Sequence, residues 1–362
     1  MFLKDLFEFL PKSNRPASFG SKDGIYPFFT SSNTVDKYVN DFDYEGEYLI
    51  IGDGGTANCK YYKGKFSASD HNYILKPKDK VKCKLVRYFL MKDNYKILSD
   101  GFKGVGIKNV SKTYIQNINF IRNTRYTDEE TIESLSKIEN LIEIKNKELN
   151  QLDELIKSRF IELFGNEDNY LWETKKLENI GVCKNGMNFS YKKGGFKINC
   201  LGVGDFKEND IIKDTYSLPI IELTKKPDDE YLLKNDDIVF VRSNGNRLLV
   251  GRSVLVYPNS NPTVFSGFCI RFRKNTDLVN SDFLLHFFKT DDIRIKMRGR
   301  GANIQNLNQK ILNSLLIPIP PKSLQDEFSE FIKLIDKSKF SVQKEIELYQ
   351  ELLDKKMEEY FG

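Results

Sequence analysis

This chain has few of the residues that metal and nucleophile chemistry need. Among its 362 residues are two histidines, His71 and His286, and five scattered cysteines with no C-x-x-C pair. That set supports neither a zinc site nor an activated nucleophile. An odd, unpatterned cysteine set fits reduced thiols in a cytosol, packed as small apolar groups. No run approaches the roughly 18 apolar residues of a membrane span, so no membrane partner is expected. The opening Met1-Phe2-Leu3-Lys4-Asp5-Leu6-Phe7-Glu8 carries acids within its apolar run, unlike a signal peptide, and a cytoplasmic location is expected. A G-x-x-x-x-G-K-[ST] phosphate loop is missing, which argues against ATP hydrolysis. Phe102-Lys103-Gly104-Val105-Gly106 looks like a loop that cradles S-adenosylmethionine, yet no N-P-P-[FYW] or D-P-P-Y motif accompanies it. Asn261-Pro262-Thr263-Val264 lacks the aromatic. Asp228-Asp229-Glu230 with Lys234 has the wrong spacing for a nuclease E-x-K, and Glu143-Ile144-Lys145 lies in a helical pattern. No catalytic site is expected.

What the chain does have is itself, twice. Gly104-Val105-Gly106-Ile107-Lys108-Asn109-Val110-Ser111 runs parallel to Gly301-Ala302-Asn303-Ile304-Gln305-Asn306-Leu307-Asn308, an offset of 197. Leu152-Asp153-Glu154-Leu155-Ile156, leading to Leu163-Phe164-Gly165, matches Tyr349-Gln350-Glu351-Leu352-Leu353 leading to Tyr360-Phe361-Gly362, again at 197. Such a period is far longer than that of solenoid repeats and marks a duplicated domain. Each half reads as a mixed globular segment followed by a long amphipathic helix. The expected fold class is α+β: two mixed α/β domains at 1–127 and 166–323, with spacer helices at 128–165 and 324–362. The helices should be antiparallel coiled-coil partners, giving a pseudo-two-fold tandem repeat.

In the first helix Ile132, Leu135, Ile138, Leu141, Ile142, Leu149, Leu152, Ile156 and Leu163 keep 3/4 spacing. Phe328, Phe331, Ile335, Val342, Ile346, Tyr349, Leu353, Met357 and Tyr360 do so in the second. Polar breaks at Lys145-Asn146 and Ser338-Lys339 are candidates for fixing register. About 35 residues would span about 50 Å. Heptads alone do not distinguish pairing within the chain from dimerisation. The net charge is +5; residues 128–165 carry −5 and 324–362 carry −4, which leaves +14 on the globular segments. Basic domains on acidic helices are the electrostatic footprint of a phosphate-backbone binder, with solvated lysines as the plainer reading.

Glu47-Tyr48-Leu49-Ile50-Ile51-Gly52 reads as a strand entering the turn Asp53-Gly54-Gly55-Thr56, with short strands at 60–62 and 72–75. Asp237-Ile238-Val239-Phe240-Val241 enters Arg242-Ser243-Asn244-Gly245-Asn246, and Leu248-Leu249-Val250-Gly251 follows. Each turn alone reads as an ordinary hairpin; at similar places in two halves they become platforms for reading base edges. Candidate DNA contacts are therefore Gly54, Gly55, Thr56, Asn58 and Lys60 in the first half, and Arg242, Ser243, Asn244, Asn246 and Arg247 in the second. Arg294, Lys296, Arg298 and Arg300, spaced alternately, are candidate phosphate holders.

This duplicated layout of two basic domains and two acidic helices, with the segments from Trp172 to Ile180, Gly24 to Ser32, Ser69 to Asn72 and Ile317 to Gln325, resembles the specificity subunit of type I restriction–modification systems. Trp172-Glu173-Thr174-Lys175-Lys176-Leu177-Glu178-Asn179-Ile180 looks like the opening of a target-recognition domain. Gly24-Ile25-Tyr26-Pro27-Phe28-Phe29-Thr30-Ser31-Ser32 and Ser69-Asp70-His71-Asn72 look like its core segments. Ile317-Pro318-Ile319-Pro320-Pro321 with Leu324-Gln325 looks like its exit, and 157–165 like the end of the central helix. The first half departs, with Phe120-Ile121-Arg122-Asn123-Thr124 at its exit and no Trp at its opening. The resemblance implies a DNA-reading subunit with no catalysis and no bound cofactor of its own. Double-stranded DNA and two methyltransferase subunits using S-adenosylmethionine would be its partners, with restriction subunits using ATP and Mg. Alternatives are the specificity subunit of a type IIB-like enzyme and, in a different class, a coiled-coil scaffold without specific DNA binding.

Overall fold

The computed structural model describes residues 1–78, 80–106, 108–166, 168–188, 195–206, 209–298 and 306–362. These divide into two compact units, 1–148 with 341–362, and 149–340.

The first unit is built on a six-stranded sheet of β1 (Phe7–Phe9), β2 (Tyr26–Phe29), β3 (Tyr38–Val39), β4 (Tyr44–Gly52), β5 (Cys59–Ala68) and β6 (Asn72–Pro77). Their order is β1-β6-β4-β5-β2-β3. All pairs are antiparallel except β2 with β5, where Phe28 faces Ser67. In β4 the run Leu49, Ile50, Ile51 is buried on both faces, so one face packs under helix α1 (Cys83–Ser99) and the other against Phe29 and Phe66. A central strand covered on both sides reads as a continuous apolar run rather than an alternation, as it does in the sequence.

The second unit carries β7 (Gly181–Asn185), β8 (Phe196–Leu201), β9 (Ile211–Ile212), β10 (Ile220–Leu223), β11 (Asp237–Val241), β12 (Ser253–Val256), β13 (Thr263–Phe265) and β14 (Cys269–Lys274). Its main sheet runs β7-β14-β11-β12-β9, and β10-β8-β13 form a second sheet. Here too every pair of the main sheet is antiparallel except the last, β9 with β12. Five strands therefore follow one order with one set of directions in both units. The offset is 189 between Gly52 and Val241 but 197 between Asn72 and Cys269. Helices α3 (Ser281–Lys289) and α4 (Asp291–Arg298) complete this unit.

Each unit closes its ends on themselves. In the second, Thr174–Lys176 pairs with Leu316–Pro318, which joins the opening and exit segments. In the first, the Leu3 amide donates to the Ile118 carbonyl and the Phe120 amide to the Met1 carbonyl, at 3.0 and 2.8 Å. Phe120 stands 197 before Ile317, so a clasp forms without the proline-rich exit.

Two long helices, α2 (Asp128–Phe164) and α5 (Lys322–Phe361), contribute to both units and pair antiparallel within each. Lys145 pairs with Glu345 in the first, at 2.8 Å. In the second, Lys339 pairs with Asp153 and Arg159 with Glu327, both at 2.7 Å. The polar breaks in the apolar stripe are thus the cross-helix ion pairs, and the helices run through them. Such exposed pairs stabilise by no more than about 1 kcal/mol each, so they select register more than they add stability. Stability comes from the buried ends: Phe160 stacks on Phe283 and Phe164 meets Phe283 and Phe328 edge to face, while Leu353, Met357 and Phe361 pack around Leu135 and Phe89. The spacing placed Leu141 inward; the structure leaves it exposed, because the seam passes on to Ile138 and Ile142.

Candidate nucleic-acid interface

In the first unit β4 delivers the chain into the turn at 53–58. Gly55 has φ +83°, a left-handed conformation that favours glycine, and a Cβ at Gly54 would lie 2.7 Å from Asn109 Oδ1. That close approach has a purpose. The Gly55 amide donates to the Lys108 carbonyl at 3.1 Å, and the Val110 amide to the Asp53 carbonyl at 2.9 Å. Gly54, Gly55 and Thr56 are left at the surface beside exposed Lys103, Lys108 and Asn109. Asn58 and Lys60 turn inward, at 1% and 9% exposure. Asn58 Nδ2 donates to the Ser31 and Thr56 carbonyls at 2.8 and 2.9 Å, and Lys60 Nζ to Asn58 Oδ1 at 2.6 Å. Burial pushes the Lys60 ammonium down to about 8. The expectation that these two contact DNA is corrected by their placement: they brace the turn against the 30–31 segment instead. Asp53, under the turn, is paired with Lys12, and its Oδ1 accepts from His71 Nδ1 at 3.2 Å.

In the second unit β11 delivers residues 242–247. The Arg242 amide donates to the Phe268 carbonyl at 2.8 Å, and the Leu307 amide donates to the Arg242 carbonyl at 2.9 Å. Leu307 stands 197 after Val110. Both repeats therefore use the seventh residue of the repeated segment to clip the first residue of the turn. Asn244 Oδ1 accepts from the Asn246 amide at 2.8 Å, and Asn246 Oδ1 caps the next segment by accepting from the Leu248 amide at 3.0 Å. That segment is a 3-10 turn, Arg247–Leu249, and the strand resumes only at Ser253. The Asn246 cap explains why residues 248–251 coil before the strand resumes. Arg242, Ser243, Asn244 and Arg247 are half-buried and Asn246 exposed. Phe268, 62% exposed on the neighbouring loop, joins them.

The alternate spacing of Arg294, Lys296 and Arg298 was read as one phosphate-holding row. It lies on a helix, α4, where positions two apart point to opposite sides. Arg294 and Arg298 are half-buried, and Arg294 Nη2 donates to the Leu248 carbonyl at 2.9 Å, while Lys296 is exposed. Arg300 lies outside the described residues.

Sequence reasoning missed Lys103, Lys108, Asn109 and Phe268. Lys108 and Asn109 lie on the repeated segment 104–111, so the duplication was their available signal; nothing in the repeat marked Lys103, and nothing local marked Phe268. The likeness of residues 102–106 to a cofactor loop is a hairpin, Phe102–Lys103 pairing with Asn109–Val110. All five cysteines are buried and free, and burial pushes the Cys59, Cys183 and Cys200 thiols up to about 12. His286 lies against Phe328 and burial pushes it down to about 3. Among the described residues no helix is long and apolar enough to cross a membrane.

The chain is 24% identical over 341 residues to the type I restriction enzyme MjaVIII specificity subunit of Methanocaldococcus jannaschii, covering 87% of this chain and 77% of that one. It is 29% identical over 146 residues to the StySPI specificity subunit of Salmonella potsdam, 40% of this chain and 31% of that one. Its fold matches the S subunit of a type I restriction–modification system from M. genitalium, with a TM-score of 0.54 at 16% identity, covering 100% of this chain and 95% of that one. A second match has a TM-score of 0.53 at 11% identity and covers 99% and 96% of the two chains. It comes from a study of complex assembly and conformational transition of the type I R-M system. With the clipped turn built twice on one strand order, and the type I restriction modification DNA specificity domain matched at residues 1–154 and again at 169–351, the chain belongs to the type I restriction–modification specificity family.

Proposed function

We propose that this chain reads a bipartite DNA target, one half-site per domain, and carries no catalytic site of its own. The observation that carries this reading is the repeated clip, Val110 to Asp53 and Leu307 to Arg242, which presents one polar turn per domain on the same strand. In the first domain Gly54, Gly55 and Thr56, with Lys103, Lys108 and Asn109, meet DNA. In the second the contacts are Arg242, Ser243, Asn244, Asn246 and Arg247, with Phe268 against a thymine methyl or sugar. Footprinting on duplexes with split half-sites tests the reading: protection of two short blocks around an unprotected gap is expected. A scaffold protein would give uniform or no protection.

Lys296 holds backbone phosphate. Replacing it by Gln should weaken binding equally for all sequences and flatten the log–log salt slope by about 0.9. A slope equal to that of the unaltered protein would remove Lys296 from the interface.

Two methyltransferase subunits, using S-adenosylmethionine, dock on the helices, and restriction subunits using ATP and Mg complete the nuclease. Leu155 and Leu352, 197 apart, support the number two. They are 47% and 41% exposed, one in each unit, while their neighbours Ile156 and Leu353 are buried. Equivalent exposed leucines on a duplicated helix give two copies of one partner the same foothold. Burying a leucine contributes about 1.5–3 kcal/mol, so Leu155→Arg or Leu352→Arg should each cost one methyltransferase copy at least tenfold in affinity. Mass measurement of the assembled complex should show one copy lost per substitution and both lost in the double variant; two copies retained would place docking elsewhere.

A further inference from the structure

Arg294, one of the two half-buried arginines of α4, lines a feature that DNA reading does not explain. Between β12, the end of α3 and α4 lies a cavity of about 270 Å³, lined by Asp210, Leu248, Arg252, Ser253, Lys289 and Arg294. Its one carboxylate is taken: Lys289 Nζ pairs with Asp210 at 2.6 Å. Arg252 and Arg294 remain. Arg294 Nη2 donates to the Leu248 carbonyl, but its Nη1 is buried and has no partner among the described residues. The same holds for the hydroxyl of Ser253, a residue 3% exposed, and for Arg298 Nε one turn along. Burial, then repulsion from Arg298 and Arg252, pushes the Arg294 guanidinium down to about 10. Gly251, at φ +76°, allows the close approach: a Cβ there would lie 2.9 Å from Met297 Cβ and 3.2 Å from Arg294 Nη1.

Like charges gathered out of water, with donors left unpaired, are costly twice over, through repulsion and through lost hydrogen bonds. An anion removes both costs at once. The unpaired groups can all donate, and a guanidinium fork with a neighbouring hydroxyl matches a tetrahedral oxyanion. We propose that this cavity is a phosphate-class oxyanion site, in which Arg252, Arg294 and the Ser253 hydroxyl hold one phosphate group. Because Arg294 also holds the Leu248 carbonyl, the bound anion stiffens the 3-10 turn that follows residues 242–246. The phosphate is either free or part of a nucleic-acid backbone, and the site does not depend on which DNA sequence is read.

The test uses the full chain without DNA, titrated with inorganic phosphate against sodium chloride at matched ionic strength. Phosphate should raise the melting temperature, in proportion to the logarithm of its concentration above the dissociation constant, and chloride should not. Ser253→Ala should weaken phosphate at least about tenfold, the cost of a hydrogen bond to a charged group. Arg294→Gln should abolish the effect. Phosphorus NMR line broadening on the unaltered protein gives a second readout should a variant fail to fold. The absence of a phosphate-specific rise in melting temperature together with the absence of saturable line broadening overturns the proposal, as does unchanged affinity in Ser253→Ala. Saturating duplex DNA then separates the sources: displaced phosphate means the backbone occupies the site, retained phosphate means a free oxyanion does. A chain that failed to read split DNA would leave the phosphate titration unaffected, so the two proposals fail separately.

Discussion

Alanine at both Arg242 and Arg247 should relax or abolish methylation at one half-site and leave the other half-site unchanged. The Arg242 backbone is fixed at both ends, by its amide to the Phe268 carbonyl and its carbonyl from the Leu307 amide. The turn therefore survives loss of the side chain. Among the described residues Arg242 Nη1 makes a long bond, 3.4 Å, to the Gly267 carbonyl, which a guanine edge can replace without leaving a strong partner stranded. A bidentate Arg–guanine contact discriminates by about 1–3 kcal/mol, so two such contacts are worth roughly 30-fold to 10⁴-fold. Sequencing of modified bases in cells carrying the double variant measures this directly. If both half-sites kept their methylation specificity, residues 242–247 would not be the reading turn.

Four residues added to both long helices should lengthen the non-specific gap by about two base pairs, with the bases read on either side unchanged. Four residues add about 6 Å of helix, and base pairs stack about 3.4 Å apart. A single insertion at the polar break Lys145-Asn146 is the simplest form of this test. The antiparallel ion pairs show why one is not enough. An insertion there in α2 alone would shift Lys145–Glu345 out of step with Asp153–Lys339. Placing four residues between Glu148 and Leu149 and four between Phe340 and Ser341 leaves each unit's own pairing intact. Methylation mapping reads both quantities. A preserved gap with altered bases would mean the helices do not set the spacing.

Periodicity made the helices legible because an apolar stripe at 3.6 spacing is a local signal, readable without knowing what covers it. The strand Asp237–Val241 was legible for a similar reason: five consecutive buried residues, then polar turn residues. The offset of 197 identified the duplication at the glycine-rich segment 104–111 and at the helix ends. It could not show the shared strand order. Between β7 and β14 the second domain holds the extra strands β8, β10 and β13, so the offset drifts and a constant shift finds only the C-terminal part of each repeat.

The sequence by itself determined two basic mixed domains, their acidic helices, and the family. Composition, periodicity and repetition are sums over the chain and survive ignorance of contacts. Tertiary structure alone decided which polar residues face outward. Asn58 and Lys60 share the polar chemistry of Thr56, yet they are consumed by the 30–31 segment, which is distant in sequence. Arg294 and Lys296 are both cationic and two residues apart, but the helix turns one toward Leu248 and the other toward solvent. A buried donor must find a partner and an exposed one need not, and which case applies depends on long-range packing that no local pattern encodes.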